Sequence, residues 1–172
     1  FLKANNSHRS LEAAYAAFMS LLSSPFISKY AIAEIKNAAG ETRHCVEVPF
    51  AIEIIGSPMP IPVYYVGFID EIMYDPLRDR YIAVDLKTTR QNYQDYGFRF
   101  VFDEQTIPYG IVLEHALGKR IDEFDVSYLS VFVDLLEPKI QEYPVTKTHQ
   151  DLEDWHIGLC DDIDKIAKNY KR

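Results

Sequence analysis

Residues Tyr64 to Lys87 read YYVGFIDEIMYDPLRDRYIAVDLK, two apolar runs around Asp75-Pro76-Leu77-Arg78-Asp79. The flanks are rich in β-branched and aromatic residues and the centre in turn formers, so the stretch predicts a β-hairpin. Asp70 falls late in the first strand, and Asp85 and Lys87 close the second. Side chains two apart in a strand share a face, so Asp85 and Lys87 point together, and Val84 and Leu86 are expected to point into a core. A carboxylate in apolar surroundings takes up a proton unless a cation or hydrogen-bond donors compensate it. Two carboxylates with a backbone carbonyl, such as that of Leu86, form the hard-oxygen setting that magnesium or manganese prefers. Lys87 beside them would orient water or stabilise charge developing on a phosphodiester. The blander alternative is an ion pair at a sheet edge. Gly67, three residues before Asp70, would permit close approach of a backbone or ligand.

Working outward, Arg43 to Ile54 alternates Val46, Val48, Phe50, Ile52 and Ile54 with Glu47, Pro49, Ala51 and Glu53, the period of a half-buried strand. Glu47 is a candidate to approach the carboxylates, although a solvated strand face is the commoner fate. Ahead of it, Leu11, Ala14, Tyr15, Phe18 and Leu22 form a helical stripe over residues 8–22 with Ser7 as N-cap. Pro25 to Ala39 reads as a second helix ending at Gly40. Beyond the hairpin, Asp103 to Leu117 reads as a helix closed by Gly118, Phe124 to Leu135 as a buried strand and Ile140 to Val145 as a short one. A last helix, capped by Thr146 or Thr148, runs to about Tyr170 and buries Leu152, Trp155, Leu159, Ile163 and Ile166. The predicted order is ααβββαββα in a single α/β domain spanning residues 1–172.

The 172 residues suffice for a sizeable core. No apolar run approaches the roughly 20 residues of a membrane span. The chain opens at Phe1 rather than Met, which reads as a fragment of something longer, with further domains or protein partners to be expected. Cys45 and Cys160 are the only cysteines, too few for a disulfide framework or an iron–sulfur cluster, and point to a reducing, intracellular setting. A net charge of −8 argues against binding nucleic acid through a broad basic surface. The charge is unevenly spread, however. Residues 151–164 hold six acids and no Lys or Arg, whereas 78–99 hold Arg78, Arg80, Lys87, Arg90 and Arg99 against three acids.

Gly67-Phe68-Ile69-Asp70, Asp85-Leu86-Lys87-Thr88-Thr89, and Gln105 with Tyr109 stand in that order after an early His8. In this the chain resembles the PD-(D/E)XK nuclease superfamily, specifically its RecB-like exonuclease branch. The resemblance covers most of the chain and implies a restriction-endonuclease-like core with a mixed central sheet flanked by helices. It implies that His8, Asp70, Asp85 and the Leu86 carbonyl bind magnesium or manganese and that Lys87 serves the attacking water. Gln105 and Tyr109 would position the DNA strand. The activity implied is a DNA exonuclease acting on ends or single strands, such as repair, recombination or phage genome processing employ, in the cytoplasm or at the nucleoid. Pro108 lies between Gln105 and Tyr109 and is tolerated only near a helix start, so a helix beginning at Ile107 would leave Gln105 ahead of it.

Tyr93, Tyr96, Phe98, Phe100 and Phe102 follow, interleaved with Arg90 and Arg99; such a segment either packs over the core or stacks unpaired bases. His44, His115, His149 and His156 have no partner at telling spacing and read as structural or surface residues. Two rival functions remain: a non-catalytic nucleic-acid-binding or assembly module that keeps the fold, and a metal enzyme acting on a small phosphorylated substrate.

Overall fold

The structure, a computed structural model, describes residues 11–36, 40–90, 96–118, 120–133 and 138–170. Its elements are α1 (Leu11–Leu22), α2 (Pro25–Lys29), β1 (Ala31–Ile32), β2 (Glu34–Lys36), β3 (Thr42–His44), β4 (Val46–Glu53), β5 (Tyr64–Asp75), β6 (Arg80–Thr89), α3 (Phe98–Val101), α4 (Tyr109–Leu117), β7 (Glu123–Phe132), β8 (Lys139–Thr148) and α5 (His149–Tyr170). A six-stranded sheet runs β1-β5-β6-β7-β8, with β4 also paired to β5; β2 and β3 form a separate ribbon. The pair β6–β7 is parallel and the other pairs are antiparallel. The expected mixed sheet flanked by helices is therefore present. A parallel neighbour requires a crossover, and the segment carrying α3 and α4 supplies it.

The hairpin β5–β6 is where the sequence placed it. Asp75 Oδ1 accepts the Leu77 and Arg78 N–H groups at 2.9 and 3.3 Å, an Asx turn. Arg78 then bridges Asp75 and Asp125 on β7, which ties the turn to the far strand. Strand β6 is buried on both faces. Ala83 faces the larger core with Ile72, Tyr128, Leu113 and Trp155, while Ile82 and Val84 face Phe26, Tyr30, Met73 and Leu129. Leu86, expected inside, is 45% exposed, because the packing over that outer face comes from α2 and stops at Val84.

The predicted second helix ends at Lys29 instead of Ala39. Ala31 and Ile32 pair with Tyr74 and Met73, and Ala33 N–H donates to the Ile72 carbonyl at 2.9 Å. An open edge of β5 outweighs the helical propensity of these alanines; residues 37–39 lie outside the described ones. Helix α1 is also turned relative to expectation. Ala13 and Ala17 are buried, while Leu11, Tyr15, Phe18 and Leu22 are at least half exposed. Small side chains let the helix lie close to β7 and β8, with Ser20 Oγ donating to the Pro138 carbonyl at 3.3 Å. The Ser7 cap is outside the described residues, as are residues 134–137, where the β7 strand was expected to end.

Helix α4 starts at Tyr109 rather than Asp103, with Pro108 as its N-cap residue. Proline has no N–H to donate into a preceding turn, and residues 104–108 form turns instead. Of the two caps considered for α5, Thr148 is the one used: its N–H and hydroxyl both donate to Asp151 Oδ2, at 2.7 and 2.8 Å. These bonds hold the Asp151 carboxyl below its ordinary range. Leu152 and Trp155 are buried as expected, whereas Ile166 is 55% exposed.

Gly110 brings α4 onto β7: a Cβ there would stand 2.5 Å from Phe124 Cε1 and 2.8 Å from Cζ, and Phe124 is itself buried. Alanine is favoured over glycine in a helix by about 1 kcal/mol, but overpacking a core costs about 1–3 kcal/mol. Gly110→Ala should therefore lower stability by up to about 2 kcal/mol, read as a lower urea midpoint at unchanged slope. A raised midpoint would mean that the Phe124 ring moves aside freely.

Candidate active site

Strands β5 and β6 pair from Asp75–Arg80 up to Glu71–Val84 and no further. Asp70 is the next residue, and its Oδ2 takes the Leu86 N–H at 2.7 Å. A side chain thus replaces the backbone acceptor where the two strands part. On β5 the core-facing residues run Tyr65 and Ile69, then resume at Ile72, so the regular alternation slips by one at Asp70 and Glu71. The β4–β5 pairing skips Glu47 and Asp70, and Glu47 has φ 47°. A glutamate in the left-handed region stores strain, and the strain sits opposite the strand break. The Glu47 and Glu53 side chains are exposed.

Asp85 follows Ala83 along the inner face of β6 and is 2% exposed. Its Oδ2 lies 2.7 Å from Lys87 Nζ, yet no donor meets that oxygen with hydrogen-bond geometry. Its Oδ1 receives only a long contact from Gln105 Nε2, at 3.5 Å. Burial raises the Asp85 carboxyl above its ordinary range; Lys87 pulls it back without reversing the shift, and Asp70 and Asp103 add to it. Lys87 Nζ also donates to Gln105 Oε1 at 3.0 Å. Asp70, Asp85, Lys87 and Gln105 are therefore brought together, although Gln105 does lie ahead of its helix. The segment before the helix holds it instead: Gln105 N–H donates to Asp103 Oδ1 at 3.0 Å.

Tyr109, the first residue of α4, is 2% exposed. Its hydroxyl donates to the Phe68 carbonyl at 3.4 Å, and burial, then Asp85 and Asp70, raise its pKa. It stands behind the carboxylates rather than on the surface. Gly67 explains part of this placement. A Cβ there would lie 2.8 Å from Phe50 Cζ, so the missing side chain admits the Phe50 ring, which meets Tyr109 edge-on at 6.1 Å. The close approach expected at Gly67 is thus a neighbouring ring.

Two supports escaped the sequence reading. Thr106, fully buried, shares a 2.6 Å hydrogen bond with Tyr128. Lys147, 4% exposed, donates to the carbonyls of Val101 and Asp103 at 2.9 and 3.3 Å, and burial lowers its pKa. The β8 alternation places Lys147 on one face with Tyr143 and Val145, the one signal available beforehand. His8 lies outside the described residues. His149 stands 4.0 Å from Glu114 and 3.6 Å from Glu153, a structural position, and His44 and His115 are exposed.

Among the described residues no group of three or more His, Cys, Asp or Glu is arranged around a metal position. The two carboxylates, Asp70 and Asp85, lie on either side of Leu86, whose N–H Asp70 accepts. Two neighbouring carboxylates offer the hard oxygen donors that a divalent cation takes.

A sequence model of the PD-(D/E)XK nuclease superfamily matches residues 4–171. No curated protein matches the chain. Among solved structures the chain is similar to the crystal structure of SSO0001, at 16% identity and a TM-score of 0.42, covering 70% of this chain and 49% of that one. The chain thus spans about half the length of that protein.

The native state raises the Asp85 carboxyl above its unfolded value. The resulting penalty is absent at acid pH and grows as pH rises toward the folded pKa. Asp85→Asn should accordingly raise the urea midpoint of metal-free protein at pH 8, with the gain vanishing below about pH 4. A midpoint at pH 8 no higher than the parent's would mean that Lys87 fully compensates the charge.

Proposed function

The chain belongs to the PD-(D/E)XK nuclease superfamily, and we propose that it is a magnesium- or manganese-dependent deoxyribonuclease of the RecB-like exonuclease type. It would hydrolyse phosphodiester bonds at DNA ends or in single strands. The observation that carries this reading is the buried Asp85 carboxylate, ion-paired with Lys87 at 2.7 Å, beside the point where Asp70 takes the Leu86 N–H.

The donor set fits a divalent ion, and superfamily members generally use one. Asp70, Asp85 and the Leu86 carbonyl would hold it, with His8 as a further ligand. Once bound, such an ion supplies Lewis acidity and a more acidic water. Lys87 orients that water and offsets charge developing on the phosphate oxygens. Gln105, exposed and bonded to Lys87, faces the incoming strand and sets where the Lys87 ammonium points. Tyr109, which is buried, positions the β5 backbone at Phe68 beside Asp70. Among the described residues no helix is long and apolar enough to cross a membrane.

Labelled single- and double-stranded DNA incubated with magnesium, manganese or EDTA tests the proposal. Shortened products should form with either metal and not with EDTA. Asp85→Ala and Lys87→Ala should each reduce the rate by at least about 100-fold while far-UV circular dichroism stays unchanged. DNA binding without turnover in any metal would identify the protein as a non-catalytic module on the same fold.

A further inference from the structure

The four described aromatic residues around α3 divide between two fates. Tyr96 and Phe100 are buried: Phe100 stacks on Tyr128 at 4.1 Å, and Tyr96 meets Phe132 edge-on at 5.6 Å. Phe98 and Phe102 point the other way and are 74% and 84% exposed, with Val101 between them 52% exposed. Tyr93 lies outside the described residues. Phe98 opens the short helix and Phe102 caps its end, so the two exposed rings flank one turn of chain. The segment is held rigidly: Lys147 clamps the Val101 and Asp103 carbonyls, and the Tyr143 ring packs so closely that a Cβ on Gly97 would stand 2.5 Å from it.

We infer that Phe98 and Phe102 form a stacking platform for the bases of an unpaired DNA strand whose backbone runs to the carboxylate site. The inference rests on the reading of that site as a phosphodiesterase. Phe102 is three residues from Gln105, which touches both Lys87 and Asp85; three residues reach at most about 11 Å. The platform and the reacting phosphate are therefore parts of one surface. Arg99, between Phe98 and Phe102 in the chain, is exposed and lies 5.3 Å from the Tyr96 ring, and Arg90, just past the end of β6, is also exposed. In a chain of net charge −8, affinity for a polyanion has to come from such a local set and from contacts that do not depend on charge. Stacking is one of these. A duplex buries its base faces in its own stack, so only an unpaired strand offers the π-faces that two fixed rings can meet.

The test is binding of the whole chain to a fluorescent oligothymidine, to an abasic strand of equal length and to a blunt duplex, with calcium as the only divalent ion. Loss of a stacked base is worth about 1–3 kcal/mol, or roughly 5- to 150-fold. Wild type should bind oligothymidine at least about 10-fold more tightly than the abasic strand. The double variant Phe98→Ala/Phe102→Ala should lose that difference and leave abasic binding unchanged. Phe102→Trp should keep the affinity and show indole quenching by oligothymidine but not by the abasic strand. Equal wild-type affinity for the two strands, an unaltered preference in the double variant or an unquenched indole would each overturn the inference. Base-dependent binding and quenching without cleavage in magnesium would sink the nuclease reading alone; cleavage with base-independent binding would sink the platform alone.

Discussion

Asp85 is a carboxylate built into the wall of a hydrophobic core. Moving such a charge out of water costs several kcal/mol unless it is compensated, and the compensation in this protein is partial. Lys87 pairs with one oxygen at 2.7 Å, and the contact from Gln105 to the other is long. The arrangement thus leaves a charge in the core at a cost to stability. Much of the surrounding architecture serves to keep that carboxylate dry and still.

The sheet does this by being buried on both faces at β6 and nowhere so completely elsewhere on the hairpin. Phe26 and Tyr30 cover Ile82 and Val84 from outside, and Leu113, Tyr128 and Trp155 fill the inside. The turn end of the hairpin is anchored by Asp75, Arg78 and Asp125. The other end opens, and the opening is stabilised by Asp70 accepting the Leu86 N–H. A regular ladder would have used that N–H and left no room between the strands. The site therefore exists because strand pairing stops, and the strained Glu47 backbone beside it marks where the sheet is bent.

Around that opening, the polar groups are arranged in layers of decreasing exposure. Gln105 faces solvent, Lys87 is half-buried, and Asp85 and Tyr109 are buried. The segment carrying Gln105 gains its rigidity from Lys147 and from the Thr106–Tyr128 hydrogen bond, not from helical structure. Pro108 makes this necessary, since it denies α4 an earlier start. A glutamine on a loop then reaches Lys87 as well as one on a helix would, because buried bonds fix both sides of it.

Strand period, turn chemistry and misplaced charge were legible in the chain before any coordinates. They placed β5 and β6 within two residues and selected Asp70, Asp85 and Lys87 as one group, whereas the mixed sheet and the addition of Gln105 and Tyr109 came from the family resemblance. Local pattern served well there because alternation and turn residues are properties of neighbours in sequence. It failed at residues 30–36, where an alanine-rich segment left the helix for the open edge of β5, and on α1, where two alanines rather than the large stripe became the buried face. Those outcomes depend on which surfaces lie nearby, which neighbours in sequence do not encode. The same limit applies at the site. The sequence by itself determined which acids, lysine and aromatic residues were available; only the tertiary structure decided that Asp85 would be buried beside Lys87, that Tyr109 would face inward, and that Phe98 and Phe102 would face out. Burial and strand divergence set the chemistry of these groups, and both arise from long-range packing.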